Sequence, residues 1–178
     1  MTENIKNINN DLTLNARIGN LERVKYLLEN GADINGRDSG GETALICASN
    51  MGHCKVVKYL VENGADIEKG DNNGQTPLIW ALNSGQLDVA EYLIGIGADI
   101  NAQDKNGNTA LMYASYGGNV EIVSFLLENN KTDFNIKNKD GKSFLDLIDC
   151  ETLDLAISSI DDYNKENDVK NKIKAMDR

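Results

Sequence analysis

The sequence offers one histidine, one proline and one tryptophan in 178 residues, and only three cysteines. The odd number of thiols (Cys47, Cys54 and Cys150) follows no disulfide framework, which points to a reducing compartment. Cys47 and Cys54 stand seven residues apart with no further ligand in register, short of the four ligands a zinc site needs. No segment approaches the roughly 18 consecutive apolar residues of a membrane span, and the opening stretch MTENIKNINNDLTLNA lacks the apolar core of a signal peptide. A soluble, cytoplasmic protein is therefore expected, and the same features are compatible with delivery into a host cell by a route without a signal peptide. A basic stripe is also missing. The formal charge is −10 with a pI near 4.6. Such a surface repels phosphate backbones and disfavours nucleic acid, while a basic or neutral protein partner fits. Asn, Lys and Ile abound where Ala, Arg and Pro would serve, a sign of AT-rich coding as in low-GC bacteria, parasites or large viruses.

Catalytic chemistry is equally scarce. The D-x-N-G turn at Asp104 has the start of a calcium loop, but its glycine falls at the fourth position instead of the sixth, and Ser115 stands where the twelfth-position Glu is required. The glycines end helices or shape turns, so no phosphate-cradling loop precedes a helix. Asp161 and Asp162 read as a solvated pair. The expectation is no enzyme, no cofactor and no metal site.

What is present is repetition. ENGADI at 29–34 returns as ENGADI at 62–67, and GIGADI follows at 95–100, an offset of 33 residues each time. The same step carries Tyr26 to Tyr59, Tyr92 and Phe125, and Leu27 to Leu60, Leu93 and Leu126. It also carries Gly19 to Gly52, Gly85 and Gly118, and Asp38 to Asp71 and Asp104.

The unit from Asp71 to Gln103 shows how one period should fold. Asp71, Asn72, Asn73 and Gly74 form a polar turn in which Asx side chains bond nearby amides. Thr76 is a helix N-cap, worth on the order of 1 kcal/mol, and Pro77 suits the first helical position. Leu78, Ala81 and Leu82 share one face of a short helix that Gly85 stops. A second helix from about Gln86 carries Leu87, Val89, Ala90, Leu93 and Ile94 as an apolar stripe and ends at a left-handed Gly97. Helices shorter than about 12–15 residues are marginal alone in water. Each hairpin must lean on the next, which is expected to place the Tyr26, Tyr59, Tyr92, Phe125 column and the neighbouring leucine column in one continuous core.

The pattern D-x-x-G-x-T-P-L, a short first helix, Gly, a V-x-x-L-L second helix and G-A-D-I-N resembles the ankyrin repeat. The resemblance covers nearly the whole chain and implies an all-α ankyrin-repeat solenoid of stacked helix-turn-helix units with projecting β-turn or hairpin loops. Five units are expected, at about 4–37, 38–70, 71–103, 104–137 and 138–163, within an array spanning 1–163. The first lacks the opening turn, and the last is short and has no Gly between its helices, as end caps should. A charged tail, 164–178, follows; Val169, Ile173 and Met176 offer a thin stripe for packing, but its charge density favours fraying. In ankyrin repeats Gly-His often opens the second helix, so His53 after Gly52 is read as structural.

Three departures stand out. The His that usually follows T-P-L is replaced by Ile46, Ile79, Met112 and Asp146, so apolar packing must substitute for its hydrogen bond. Pro appears only at Pro77, with Ala44, Ala110 and Phe144 in the matching slots. The turn ENNKTDFN, 128–135, has an extra residue and no Gly, so the step there should be irregular.

The resemblance further implies a protein-binding scaffold, an adaptor or inhibitor whose concave groove of turn tips and first helices chooses a partner. A monomer without membrane or nucleic-acid ligands is expected. The candidate contact residues are Asn72, Asn73, Lys105 and Asn106 on the turns, Met51, Asn83, Ser84 and Tyr116 at first-helix ends, and Trp80 and Tyr113 in the slot after the missing His. Large exposed side chains there suit a hot spot. Trp80 and Tyr113 occupy a position that also faces the junction between units, so a core role stays open for both. A self-associating scaffold, or the recognition subunit of a separate enzyme, is the alternative.

Overall fold

A computed structural model describes residues 2–159 and 163–176. Asp161 and Asp162, read as a solvated pair, lie outside the described residues. The chain divides into two compact units, Met1–Asp99 and Ile100–Arg178. Both are built of helices, and no strand longer than an isolated bridge occurs among the described residues.

In the first unit α1 (Thr2–Arg17) and α2 (Leu21–Glu29) form a hairpin, followed by α3 (Ala44–Asn50) with α4 (Cys54–Glu62) and α5 (Pro77–Asn83) with α6 (Leu87–Gly95). The first helices α1, α3 and α5 pack in sequence, and the second helices α2, α4 and α6 do the same. Thr43 and Thr76 cap α3 and α5, their hydroxyls accepting from the amides of Ile46 and Ile79 at 3.2 and 3.3 Å. The side chains filling the usual histidine slot, Ile46 and Ile79, are buried, so apolar contact takes over there.

The hexamer ENGADI can be read atom by atom. The Asn30 and Asn63 amides each donate to the carbonyl of Tyr26 and Tyr59 at 2.7 Å. Gly31 and Gly64 take φ of 89° and 90°, a left-handed conformation that costs glycine nothing. The Ala32 and Ala65 N–H groups then reach back to the Leu27 and Leu60 carbonyls at 3.0 Å, closing a Schellman cap. Finally the Asp66 N–H donates to Asn35 of the preceding hairpin at 2.8 Å, and the Asp99 N–H to Glu68 at 2.9 Å. One hexamer thus ends a helix and ties its hairpin to the one before.

The tyrosine column is not core. Tyr26 is 51% exposed, and Tyr59 and Tyr92 are half-buried. The neighbouring Leu27, Leu60 and Leu93, one residue further round the helix, carry the burial at 2% exposure or less. Successive helical residues point about 100° apart, so both columns cannot face inward. Cations lie over the rings instead: Arg23 on Tyr26 at 4.9 Å, Lys25 on Tyr59 at 5.8 Å and Lys58 on Tyr92 at 5.4 Å.

The second unit holds α7 (Ala110–Tyr116), α8 (Val120–Glu128), a 3₁₀ turn at Phe144–Asp146, α9 (Cys150–Ser158) and α10 (Tyr163–Met176). Thr109 caps α7 through the Met112 amide, and Met112 is buried. Phe125, the last member of the aromatic column, is half-buried, whereas Leu126 has no exposure. At the irregular step Asn129 is extended (φ −75°, ψ 118°), so α8 ends without a left-handed residue. The register recovers at Asp133, whose N–H donates to Asn101 at 2.8 Å. Phe144, in a proline slot, packs on Phe134 with ring centroids 5.6 Å apart.

The segment expected to fray is helical. Helix α10 packs on α8 and α9, with Val169 and Ile173 only 2% and 8% exposed. Two apolar residues four apart outweigh the surrounding charge, because the lysines between them stay on the solvent side. The Met176 side chain lies outside what is described. No helix among the described residues is long and apolar enough to cross a membrane.

Candidate partner-binding surface

The turns that precede the first helices share one frame. In each, an Asx side chain accepts two backbone amides with the same oxygen: Asp38 from Gly40 and Glu42, Asp71 from Asn73 and Gln75, Asp104 from Asn106 and Asn108, and Asn138 from Asp140 and Lys142, all at 2.8–3.0 Å. A backbone bond closes each loop, as from the Asp104 N–H to the Asn108 carbonyl at 3.0 Å. These rigid loops hold the turn tips toward solvent.

The second carboxylate oxygen does a further job. Asp71 accepts from the indole N–H of Trp80 at 3.3 Å, and Asp104 from the phenol of Tyr113 at 2.7 Å. Both rings are half-buried, held against the turn nine residues earlier. Each of these aromatics is therefore anchored at its polar end and neither fully buried nor fully exposed. With its oxygens bonded to two amides and a phenol, the Asp104 carboxylate is arranged for N–H and O–H donors.

At the first turn the corresponding place is taken by Arg17, whose guanidinium contacts Glu42, lies 3.9 Å from Asp38 and 3.4 Å from the Cys47 sulfur. Asp38, Glu42 and Cys47 place ligand atoms within 4.8 Å of one another. Arg17 offsets one of the two carboxylate charges, and burial pushes the Cys47 thiol up to about 12, which keeps it protonated. His53 meets the Arg17 carbonyl through Nε2 at 2.9 Å. Cys54 is half-buried and Cys150 exposed, both as free thiols.

In the first unit, Met51 is 45% exposed at the end of α3. Asn83 and Ser84 are exposed at the end of α5, and the Ser84 hydroxyl donates to Asn50. Asn72 and Asn73 are exposed, and the Asn72 amide bonds the Gly40 carbonyl of the neighbouring turn at 3.2 Å. In the second unit, Lys105 and Asn106 are exposed, and the Asn106 carbonyl accepts the Lys139 N–H at 2.9 Å, joining adjacent turns.

The second unit also holds a pocket of about 200 Å³ beside α7. Met112, Tyr113, Tyr116 and Leu147 give it apolar walls, and Asp140 and Lys142 stand among its polar lining. Asn108 and Asn138 complete it and bond each other at 2.9 Å. Tyr116 is 81% exposed. Leu147 was missed from sequence, although it lies nine residues after Asn138, as Trp80 does after Asp71; the spacing was the available signal. Leu14, 55% exposed on α1, was missed as well, while Ile18 just after α1, one of the variable first-helix-end positions, is 62% exposed.

Comparison with protein-family models matches the chain to ankyrin repeats (3 copies) over residues 12–104 and 92–148. Ankyrin repeats are in general protein–protein interaction modules and not enzymes. Comparison with curated proteins gave no match.

Proposed function

Because the chain belongs to the ankyrin-repeat family, we propose that it is a non-enzymatic, cofactor-free module that holds a protein partner on its turn tips and first-helix ends, as an adaptor or inhibitor inside a cell. In the first unit the contact set is Met51, Trp80, Asn83, Ser84, Asn72 and Asn73; in the second it is Tyr113, Tyr116, Lys105 and Asn106. The observation that carries this reading is Tyr116, 81% exposed beside a pocket of about 200 Å³. A large aromatic left in water on a rigid frame is the side chain that interfaces use as an anchor, and its truncation typically costs binding on the order of 2 kcal/mol.

The test is retention of a partner from lysate by the wild type against the Met51→Ala/Tyr116→Ala double variant, alongside thermal melts of both. A protein held by the wild type and lost from an equally stable variant supports the reading. Equal retention by both, or none by either, refutes it.

A second reading, self-association, is favoured by Leu14, Ile18 and Tyr26, which are 55%, 62% and 51% exposed in the first unit. Leu14 and Tyr26 line one shallow depression there. Light scattering after size exclusion decides it: a dimer that Leu14→Lys disperses would replace the monomer proposed here.

A further inference from the structure

We propose that the pocket beside α7 receives one large apolar side chain from an acidic segment of the partner, with Lys105, Lys139 and Lys142 engaging the carboxylates that flank it. This rests on the protein-binding reading and names the chemistry of the partner at that site.

Size sets the occupant first. Drug-sized ligands and cofactors fill pockets of roughly 300–1,000 Å³, and an apolar cavity of about 150 Å³ already holds benzene. At about 200 Å³ the pocket takes one Phe, Trp or Leu side chain. Its walls suit a ring: the exposed Tyr116 supplies an aromatic face, and the buried Met112 a polarisable thioether.

Charge sets the flanks. Across the chain acids outnumber bases 28 to 18, which by itself argues for a basic partner. At the exposed turn tips beside this pocket lysines outnumber acids three to one, with Asp140 the acid. Lys105, Lys139 and Lys142 are exposed on two adjacent turns, and the bond from the Lys139 N–H to the Asn106 carbonyl holds those turns together. None of the three forms an ion pair among the described residues. Of the nearby acids, Asp104 is buried under Tyr113, and the exposed Asp146 accepts from the Ser143 amide and hydroxyl and stays charged, with Lys142 among the groups that hold its pKa down. Asp140 is the one exposed carboxylate on the turn between Lys139 and Lys142. At the corresponding positions of the first unit Ser39, Asn72 and Gln75 carry no charge, and Glu42, the counterpart of Lys142, is acidic and paired with Arg17. Lys105 and Lys139, with Lys142 shared with Asp146, form a local attractor for carboxylates in an otherwise acidic chain, and their contribution falls with salt.

The experiment is fluorescence anisotropy on the full chain with four labelled probes. These are a heptapeptide of Asp and Glu around a central Trp, the same peptide with central Ala, its Lys-substituted counterpart, and an oligothymidylate. Saturable binding of the acidic Trp peptide, strongest of the four and weakened by salt, is expected. Tyr116→Ala should weaken it roughly thirtyfold. The triple reversal Lys105→Glu/Lys139→Glu/Lys142→Glu should weaken it about tenfold, as three rim charges would. All these positions are exposed, so melting temperatures serve as the folding control. Tighter binding of the basic peptide with the same dependence on Tyr116 would overturn the acidic assignment and leave the protein-binding reading standing. Tighter binding of the oligothymidylate would replace a protein segment by single-stranded nucleic acid, whose bases also stack on aromatic rings. No saturable binding of the acidic Trp peptide, or equal binding of its Ala form, overturns the proposal.

Discussion

The two units use the same turn and dress it differently. In the first, Ser39 and Asn72 stand where the second has Lys105 and Lys139, and Glu42 stands where it has Lys142. Arg17 offsets part of the acid charge around Asp38, and the α5 end is bridged by the bond from Ser84 to Asn50. In the second, the tips carry Lys105, Lys139 and Lys142, and α7 ends in an exposed tyrosine beside a pocket. The frame of Asx bonds and helix caps is constant; charge and ring placement vary on top of it. Stability and recognition therefore reside in different residues of one loop, and substitutions should separate them.

The largest effect is expected at the frame. Asp104→Ala removes a buried carboxylate that accepts two amides and a phenol. Urea denaturation should show a loss of about 3 kcal/mol, the cost of stranding several buried donors. Asp38→Ala should cost less, since the half-buried Asp38 sits in a turn that Arg17 also braces. An equal loss at both positions would break the comparison.

Next come two tyrosines three residues apart. Tyr113→Phe removes the hydroxyl bonded to Asp104 and should destabilise by about 1–2 kcal/mol. Tyr116→Ala removes a ring that stands in solvent and should leave stability within about 0.5 kcal/mol. A drop at Tyr116 as large as at Tyr113 would mark it as structural and remove it from the contact surface.

The smallest effect is with acid. In the first unit the helix caps Asn20, Thr43 and Thr76 do not titrate. In the second, hydrogen bonds from Ser143 hold Asp146 below the usual carboxylate range, and those from Thr152 do the same for Asp149, the cap of α9. A depressed pKa stabilises the folded state above the unfolded value, and that stabilisation is lost as pH falls through the folded one. Hydrogen exchange below about pH 4 should therefore speed up in α9 before α3, which Thr43 caps. Asp149→Asn should abolish the difference, and its persistence would assign it elsewhere.

Much of this was legible because a repeat presents the same solution several times. The Thr caps, the left-handed glycines and the buried leucines recur at fixed spacing, and local chemistry explains each. Legibility failed where two neighbours competed for one face. Tyr26 and Leu27 are both apolar, and sequence alone put both in the core; the geometry of the helix admits only the leucine. It failed again at α10, where charge density concealed Val169 and Ile173. At the candidate site the sequence favoured Tyr116 and left a core role open for Trp80 and Tyr113, without showing what holds those two rings. Their anchoring to Asp71 and Asp104 depends on a loop folding back over nine residues.

The sequence by itself determined the repeating hairpin, its caps and its polar turns, because those depend on backbone preferences and contacts within a few residues. Only the tertiary structure decided which aromatics are anchored and which stand free, and where three lysines gather in an acidic chain. Such facts depend on residues distant along the chain competing for the same space and the same hydrogen-bond acceptors, which a linear pattern does not encode.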